Sequence, residues 1–526
     1  MMIQRVTSVL LLLFVSLQLQ AAQPWPFPPV QISNPGQDAS SPQIAVDGNG
    51  DVVAVWVENT IIHANSADIT GTWSGISVLS GSGASSPCVV IDGSGTATAA
   101  WITSSGINIA SRPLNGSWST PPGTIAASGA TSLKMAIDPS GNIVLAWEES
   151  DGCIHSATQL AGGSWPVSSD TLSAAGASSP NVAMGASGLV VAVWQGVENA
   201  VATVYQASKL VAGVWGAPAI LSQADVNSAY PQIAVDAVGN AHAIWFTYSE
   251  TSGVFSQVVV QATSCPANGS WSAPVNISDV GVRNPADLVS ALAAGVSGQA
   301  IALWSFSYDG SLFLYEWNLL SDGSWLPAPG PLGSSNILAY SCCLAVDANG
   351  VAYVACMNYD DAAAAAVINN SVNDIKTVSG AGFSAPWMLS RGSGNGYPVG
   401  AVATYGLNAV TVAAWEQFDG ANNVIQSVVS VIPNLEPPSG LAVTPVVNNY
   451  GIVSEIDNVV QWLASPSAGV CSYIIFRDGV QIGVAYPSQL QFIDHNRTIG
   501  ETVTYTIYSN DIYARQSAPV AIAFTN

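Results

Sequence analysis

The chain has 526 residues, too many for one ordinary domain but suited to a closed repeat array with a small additional module. Only 8% of the residues are charged, and 10 basic residues stand against 33 acidic ones, which gives a formal net charge of −23. This imbalance argues against nucleic acid and anionic membranes as partners, and it favours cations, basic proteins or simply solubility.

The first 22 residues have the pattern of a secretory signal peptide. Arg5 precedes an apolar stretch at residues 9–15, and Ala21 and Ala22 are small residues suited to cleavage. No later apolar run approaches the ~18 residues that a membrane-spanning helix needs. We therefore expect an exported protein (periplasmic, cell-surface or secreted) without a transmembrane segment after cleavage. A retained N-terminal anchor is the alternative.

Most of the chain consists of eight copies of one repeat. Each copy has an apolar strand that begins near a Pro such as Pro42, an Asp-x-x-Gly turn such as 47–50, and a second apolar strand that ends in Trp. Such a regular repeat indicates that each copy is one supersecondary unit. The second strands of the copies end at Trp56, Trp101, Trp147, Trp194, Trp245, Trp304, Cys356 and Trp415.

The fifth copy shows the strands most clearly. Residues 231–235 and 241–246 are apolar strands a and b. They are joined by the turn 236–239, in which Asp accepts a local hydrogen bond and Gly takes a positive φ. Residues 254–262 form strand c, and residues 269–278, with a Gly-x-Trp signature, form strand d. Four short antiparallel strands make one propeller blade.

The outer strand d is displaced in the last repeat. No Gly-x-Trp signature follows Trp415, but residues 25–33 resemble the strand d sequence 271–278. This N-terminal outer strand should pair with the last repeat, 398–431, and close the ring, which removes its open sheet edges. We predict an all-β fold with an eight-bladed β-propeller over residues 23–433. Seven blades, or a solenoid with two free ends, are the alternatives.

The repeats resemble those of bacterial exported propellers, whose units read strand, Asp-x-x-Gly turn, strand ending in Trp, and a later Gly-x-Trp. After a short linker, residues 434–526 follow a different pattern, with Trp462, the segment 473–479 and the strand 505–508. This pattern resembles a fibronectin type III domain. The resemblance implies a seven-stranded β-sandwich and no particular chemistry.

No catalytic motif is complete. Residues 307–311 contain only a fragment of the Ser-x-Asp-x-Gly-x-x-Trp box of sialidases. The propeller arginines Arg112, Arg283 and Arg391 have no motif around them that would make a carboxylate-binding triad. We therefore favour a role without enzymatic activity and leave catalysis open.

The other repeated side chains favour structural roles. The Trp residues of strands b and d should pack between blades, and each repeated Asp is a lone carboxylate, whereas calcium needs six to eight oxygens. His63 and His155 occupy the same place in non-neighbouring repeats, so they cannot meet. The seven Cys lack zinc spacing and should be mostly free or buried, although a bridge among Cys342, Cys343 and Cys356 is conceivable. We expect no cofactor, with Ca²⁺ left open.

Acidic residues recur just after strand b in every repeat except the second. Because the b–c loops of a propeller emerge on one face, these residues predict a face of strong negative potential. A solvated acidic rim is the structural alternative. The candidate residues for binding a ligand or partner are Glu58, Glu148, Glu149, Glu198, Glu250, Asp309, Asp360, Asp361, Glu416 and Asp419.

These observations predict an exported, non-catalytic binding or adhesion scaffold that uses one propeller face to bind a protein or a ligand. A carbohydrate-binding or carbohydrate-active propeller is one alternative. It would need exposed aromatic residues in the b–c loops, where Tyr248, Phe306, Tyr308 and Tyr359 are the candidates. A cell-envelope assembly factor is the other alternative.

Overall fold

The computed structural model describes most of the chain after residue 28, and every described regular element is a β-strand. The described ranges are 29–68, 71–120, 122–251, 254–278, 290–295, 300–308, 311–319, 325–327, 342–346, 352–360, 363–370, 387–388, 401–405, 410–430, 435–449, 451, 454–467, 470–511 and 517–526. Within them, no helix is long and apolar enough to cross a membrane. Residue contacts divide the chain into two compact units, which separate between Asn434 and Leu435.

The described part of the larger unit contains eight antiparallel sheets of four strands. We number them sheets 1 to 8 and name their strands a to d in order across each sheet. Strands a are β2 (Ala39–Val46), β6 (Ser85–Ile91), β10 (Thr131–Ile137), β14 (Ser178–Met184), β18 (Asn227–Val235), β22 (Ser290–Ala294), β26 (Cys342–Val346) and β30 (Ala401–Tyr405). Strands b are β3 (Val52–Glu58), β7 (Ala97–Thr103), β11 (Ile143–Glu148), β15 (Leu189–Glu198), β19 (Ala241–Thr251), β23 (Ala300–Tyr308), β27 (Ala352–Asp360) and β31 (Val410–Phe418).

The outer half of each sheet is formed by strands c and d. Strands c are β4 (Ile61–Ala67), β8 (Gly106–Arg112), β12 (Ile154–Gln159), β16 (Val201–Leu210), β20 (Val254–Cys265), β24 (Ser311–Leu319), β28 (Ala363–Asn370) and β32 (Asn423–Ser430). Strands d of sheets 1 to 7 are β5 (Ser77–Val78), β9 (Gly123–Ile125), β13 (Asp170–Thr171), β17 (Ala219–Ile220), β21 (Val275–Asn276), β25 (Trp325–Pro327) and β29 (Trp387–Met388). Strand d of sheet 8 is β1 (Val30–Gln31).

The sheets contact one another in a closed cycle. Strand a of each sheet lies against strand a of the next sheet, and strand a of sheet 8 lies against strand a of sheet 1. Small four-stranded antiparallel sheets that follow one another around a ring form a β-propeller. The strands a, which touch from sheet to sheet, are the innermost strands of this ring.

The predicted pairing of the N-terminal strand with the last repeat is confirmed. Val30 lies opposite Ser427 in β32, and Gln31 lies opposite Gln426. The backbone N–H of Ile32 donates a hydrogen bond to the carbonyl of Ile425 at 2.9 Å. The first described strand therefore completes the sheet whose other three strands come from residues 401–430.

The core lies between neighbouring sheets and consists of the strand b Trp residues with small apolar neighbours. Sheets 1 and 2, for example, share one cluster in which Val53 and Val55 pack with Ala99 and Trp101. Each strand b Trp is at most 2% exposed, as predicted, and the set is Trp56, Trp101, Trp147, Trp194, Trp245, Trp304 and Trp415. Burying large indoles between sheets is a strong apolar contribution to stability.

The Asp-x-x-Gly turns have the predicted local chemistry. In sheet 1, Oδ1 of Asp47 accepts hydrogen bonds from the backbone N–H groups of Asn49 and Asp51, both at 2.9 Å. Gly50 takes a φ of 87°. Asp92, Asp138 and Asp236 bond their own turns in the same way, and Asp347 lies outside the described residues. Each of these described carboxylates therefore holds its own turn.

Strand d differs from its prediction. In the fifth repeat the prediction spans residues 269–278, but the paired strand is only Val275–Asn276, and Trp271 precedes it. Gly269 and Pro274 interrupt the segment, and Pro has no N–H to donate to the ladder. In sheets 1 to 5 the indoles of this signature therefore lie before the paired strand d, whereas Trp325 is the first residue of β25 in sheet 6. The Trp residues of this signature in sheets 1 to 5 are all partly buried: Trp73, Trp118, Trp165, Trp215 and Trp271.

The smaller unit is a sandwich of two antiparallel sheets with seven strands among its described residues. One sheet has the order β33 (Ser439–Asn449), β34 (Ser454–Leu463), β37 (Gln491–Arg497), and the other has the order β36 (Val480–Ala485), β35 (Val470–Arg477), β38 (Thr502–Asp511), β39 (Val520–Thr525). Trp462, Tyr473 and Tyr505 form its buried centre with aliphatic neighbours.

Candidate functional site

Two of the acidic residues predicted to bind a ligand or partner, Glu58 and Glu416, are buried. Glu58 is 3% exposed. Its carboxylate accepts hydrogen bonds from Nδ2 of Asn34 at 2.7 Å, the backbone N–H of Asn34 at 3.2 Å and Nε1 of Trp56 at 3.2 Å. The side chain therefore ties the loop that follows β1 to the core Trp of sheet 1.

Glu416 has a comparable structural role at the junction of sheets 8 and 1. It is 7% exposed, and its Oε1 accepts a hydrogen bond from the backbone N–H of Ser41 at 2.8 Å. Ser41 has a φ of 56° within a β-bulge of strand a, and such a bulge locally re-aims the backbone. Burial raises the pKa of Glu416, partly offset by the Ser41 hydrogen bond.

The remaining predicted acids differ in their exposure to solvent. Glu148 and Glu149 are half-buried, whereas Glu198, Glu250 and Asp419 are exposed. Oε2 of Glu198 accepts a hydrogen bond from the Tyr205 hydroxyl, and backbone hydrogen bonds within its own turn lower the pKa of Asp419. Asp309, Asp361 and the side chain of Asp360 lie outside the described residues. Of the candidate aromatic residues, only Tyr248 has a described side chain, and it is half-buried.

A groove lies elsewhere, at the outer edge between sheets 1 and 2. It encloses a volume of about 560 Å³. One wall comes from strand c and the loop leading into strand d of sheet 1, and the other comes from the corresponding part of sheet 2. The lining residues are Asn65, Ser66, Ser74, Gly75, Ile76, Ser77, Val78, Arg112, Gly116, Ser117 and Trp118.

Arg112 is the central cation of this groove. Its guanidinium lies over the ring of Trp118, 5.8 Å from the centroid, and Nη1 donates a hydrogen bond to Oγ of Ser66 at 2.9 Å. Its Nε atom is buried without a hydrogen-bond partner among the described residues. Burial lowers the pKa of Arg112, with the Asp51 carboxylate acting in the opposite direction. Within the described ranges, no carboxylate lies within ion-pair distance of this guanidinium.

Asn65 holds the opposite wall in place. Its Oδ1 accepts hydrogen bonds from the backbone N–H groups of Ser66 at 2.8 Å and Gly75 at 3.0 Å. The hydroxyls of Ser66 and Ser74 are 2.8 Å apart. The groove thus presents fixed hydroxyl and backbone groups beside one indole and one cation.

The same arrangement occurs between sheets 3 and 4. Nζ of Lys209 lies 5.1 Å from the centroid of the Trp215 ring and donates a hydrogen bond to Oγ1 of Thr158 at 2.9 Å. The two basic residues also have equivalent positions in strand c. Arg112 is four residues after Asn108, which pairs with Trp101, and Lys209 is four residues after Tyr205, which pairs with Trp194. In both cases the hydroxyl partner lies on strand c of the preceding sheet.

The sequence contains a signal for this site that the motif analysis did not use. Each basic residue precedes the Trp of its Gly-x-Trp signature by six positions, in the segments 112–118 and 209–215. In the sequence, Arg112 suggests only membership of a sialidase-like arginine triad, and the other two arginines, Arg283 and Arg391, lie outside the described residues. The sequence predicts a purely structural role for the strand d Trp residues, but they are only partly buried, which leaves part of their surface accessible to a ligand.

No protein-family model matches the chain, and no curated protein matches it. Among solved structures, the BP39L lectin from Burkholderia pseudomallei is 15% identical, and the alignment covers 66% of this chain and 99% of the lectin with a TM-score of 0.48. A polysaccharide lyase of family PL25, an ulvan lyase, is 11% identical over 69% of this chain and 98% of the lyase, with a TM-score of 0.44. The six-bladed β-propeller lectin of Aleuria aurantia is 14% identical over 57% and 97%, with a TM-score of 0.32. Likenesses at these levels do not indicate what this chain binds.

Proposed function

We propose that this protein binds carbohydrate, without catalysis, in the grooves between neighbouring sheets of the propeller. The observation that carries the proposal is the groove of about 560 Å³ in which the indole of Trp118, the guanidinium of Arg112 and the hydroxyl of Ser66 lie together. This volume falls within the range of about 300–1,000 Å³ that is typical of small-molecule sites.

The chemistry of the groove suits a sugar ring. A pyranose has an apolar face of C–H groups, which can pack on an indole, and a rim of hydroxyls, which both donate and accept hydrogen bonds. Arg112 supplies several N–H donors in a fixed fork, and the serine hydroxyls and backbone groups of sheet 1 supply acceptors. Because the indole packs on the core cluster between sheets 1 and 2, its position is fixed before a ligand arrives.

We further propose that each of the eight sheets is one blade, so that the ring is an eight-bladed propeller closed by β1. The chain is exported through the signal at residues 1–22, and residues 434–526 form a fibronectin type III-like domain without chemistry of its own. The strand order of the smaller unit supports the last assignment. A scaffold that binds through an acidic face has less support, because Glu58 and Glu416 are committed to buried hydrogen bonds.

The experiment is a glycan array probed with the mature chain, followed by titration of the best hit against single variants. Trp118→Ala and Arg112→Gln should each weaken binding by about tenfold or more, equivalent to ~1.4 kcal/mol. Trp165→Ala is the matched control, because this Trp has the same place in sheet 3 but follows Gln159 in place of a cation. No binding to any glycan by the folded protein, or equal losses in all three variants, would overturn the proposal.

A further inference from the structure

The b–c hairpin of sheet 3 carries a set of side chains that no other described hairpin has. Four residues at alternate positions offer ligand atoms: Glu149, Asp151 and Cys153 in the loop, and His155 near the start of β12. The turn at residues 149–152, closed by hydrogen bonds from Gly152 N to Glu149 O and from Glu149 N to Cys153 O, brings the loop residues back towards the start of β12. The set is mixed, with two carboxylates, one thiol and one imidazole.

The ligand atoms of Glu149, Asp151 and His155 lie close together. Nε2 of His155 is 3.0 Å from Oδ2 of Asp151 and 3.8 Å from Oε2 of Glu149, and the ligand atoms of the three residues all lie within 4.8 Å of one another. Cys153 is next to this group in the loop, because its backbone N–H donates a hydrogen bond to Oδ1 of Asp151 at 2.8 Å. We propose that Glu149, Asp151, Cys153 and His155 form a zinc-binding site on this hairpin.

The distances suit a tetrahedral ion. With bonds of about 2.0–2.3 Å to nitrogen, oxygen and sulfur, the ligand atoms around zinc lie roughly 3.3–3.8 Å from one another. The His155 distances to the two carboxylates bracket this range, so small side-chain rotations would admit the ion. A set that combines imidazole and thiolate with carboxylate favours borderline-soft zinc over calcium, which prefers oxygen alone.

The surrounding residues hold His155 and Glu149 in position. The imidazole stacks on Trp147, with 6.1 Å between ring centroids and 22° between ring planes. Its Nδ1 lies 3.2 Å from Oγ of Ser169, which directs Nε2 towards the carboxylates. Oε1 of Glu149 accepts a hydrogen bond from Nε1 of Trp147 at 3.0 Å, which leaves Oε2 facing the imidazole. Such outer partners are a regular part of metal sites because they orient the ligands.

Sheet 1 provides an internal comparison. His63 stacks on Trp56 in the same place, again with 6.1 Å between centroids. However, the hairpin from Glu58 to Ile61 is shorter, and its carboxylate is occupied by Asn34 and Trp56. No Asp or Cys accompanies this imidazole. The stacked His is therefore a feature of the scaffold, and the additional ligands are specific to sheet 3.

A second group of mixed ligands could also bind zinc in the experiment and must be removed from it. Glu455, Asp457 and His495 of the smaller unit also bring their ligand atoms within 4.8 Å of one another. This group has no thiol, and the His495 side chain is 59% exposed. The experiment is therefore done in a His495→Ala background, so that zinc bound there does not contribute.

The test is titration of the mature His495→Ala protein with Zn²⁺ alone, and with Co²⁺ as a spectroscopic substitute. We expect one site whose affinity falls at least tenfold in His155→Asn and in Cys153→Ser, but not in His63→Asn. Co²⁺ should give a thiolate-to-metal absorption band that disappears in Cys153→Ser. Because Cys153 lies in a surface loop, that variant should fold even if His155→Asn does not.

Two results would overturn the proposal. One is the absence of a thiolate band with Co²⁺ in the parent protein. The other is zinc binding that His155→Asn and Cys153→Ser leave unchanged. Glycan binding is measured in parallel, because the zinc site and the grooves between sheets are independent and either can fail alone.

Discussion

At the residue scale, the larger unit buries several polar side chains, and some of their atoms have no hydrogen-bond partner among the described residues. His242 in strand b of sheet 5 is one case. It is 2% exposed, Nδ1 lies 3.0 Å from Oγ of Ser264, and Nε2 has no hydrogen-bond partner among the described residues. Burial lowers the pKa of His242 to about 4, with the Asp236 carboxylate acting weakly in the opposite direction.

This pKa predicts a loss of stability in acid. In the unfolded chain the imidazole takes up a proton near pH 6.5, whereas the folded protein resists protonation until about pH 4. Between pH 6.5 and pH 4 the unfolded chain binds a proton that the folded protein does not, so the free energy of unfolding falls as the pH is lowered through this range. The full loss amounts to about 3 kcal/mol. Denaturant unfolding at pH 7 and pH 4 should show a smaller difference for His242→Gln than for the parent. Equal differences would contradict the burial argument.

At the element scale, turns and close approaches decide which glycines are essential. Gly106 begins strand c of sheet 2 with a φ of 127°, and an added Cβ would overlap the carbonyl oxygen of Ile125 and lie 2.9 Å from the backbone N of Ala127. Both neighbours are backbone atoms, which cannot rotate away. Gly83 has a φ of 85°, but an added Cβ there would meet nothing within 4 Å.

The two glycines form a matched pair for testing backbone strain. Gly83→Ala should cost about 1–2 kcal/mol, because only its left-handed φ opposes a side chain. Gly106→Ala should cost more than ~4 kcal/mol, because strain and a backbone clash act together. Unfolding free energies of the two variants, measured under the same conditions, check the difference. If the two variants lose similar amounts of unfolding free energy, the backbone of β8 and β9 relaxes enough to accommodate the added Cβ, and the clash argument is wrong.

Also at this scale, the strands differ in how far their sequences predict them. The apolar strands a and b and their Asp-x-x-Gly turns are predictable because their determinants lie within a few residues. The accessibility of Trp118 and the burial of Glu416 cannot be predicted in this way, because a neighbouring sheet covers part of each side chain. Glu416 is buried by Ser41, 375 positions away in the chain. The site at Arg112 is hidden for the same reason, since its hydroxyl partner Ser66 belongs to the preceding sheet.

At the scale of the whole molecule, the ring depends on a short strand from the opposite end of its sequence. The predicted N-terminal closure follows from a missing strand d signature, which is a property of the repeat set and not of any single repeat. Ile32 is 2% exposed and packs with Trp56 and Ile425, so the closing segment also joins the core between sheets 8 and 1. Removing it would expose both an apolar surface and the N–H and C=O groups of β32.

We therefore predict that a chain starting at residue 34 associates or aggregates, because an unpaired strand edge recruits other strands. A synthetic peptide of residues 23–33 should bind this chain and restore a monodisperse species, since strand addition supplies the missing backbone hydrogen bonds. Light scattering after size-exclusion chromatography, with and without peptide, measures both effects. A peptide with Ile32→Asp is the control and should fail, because a charge cannot enter the buried cluster. If the truncated chain behaves as the full one without peptide, β1 does not close the ring in solution.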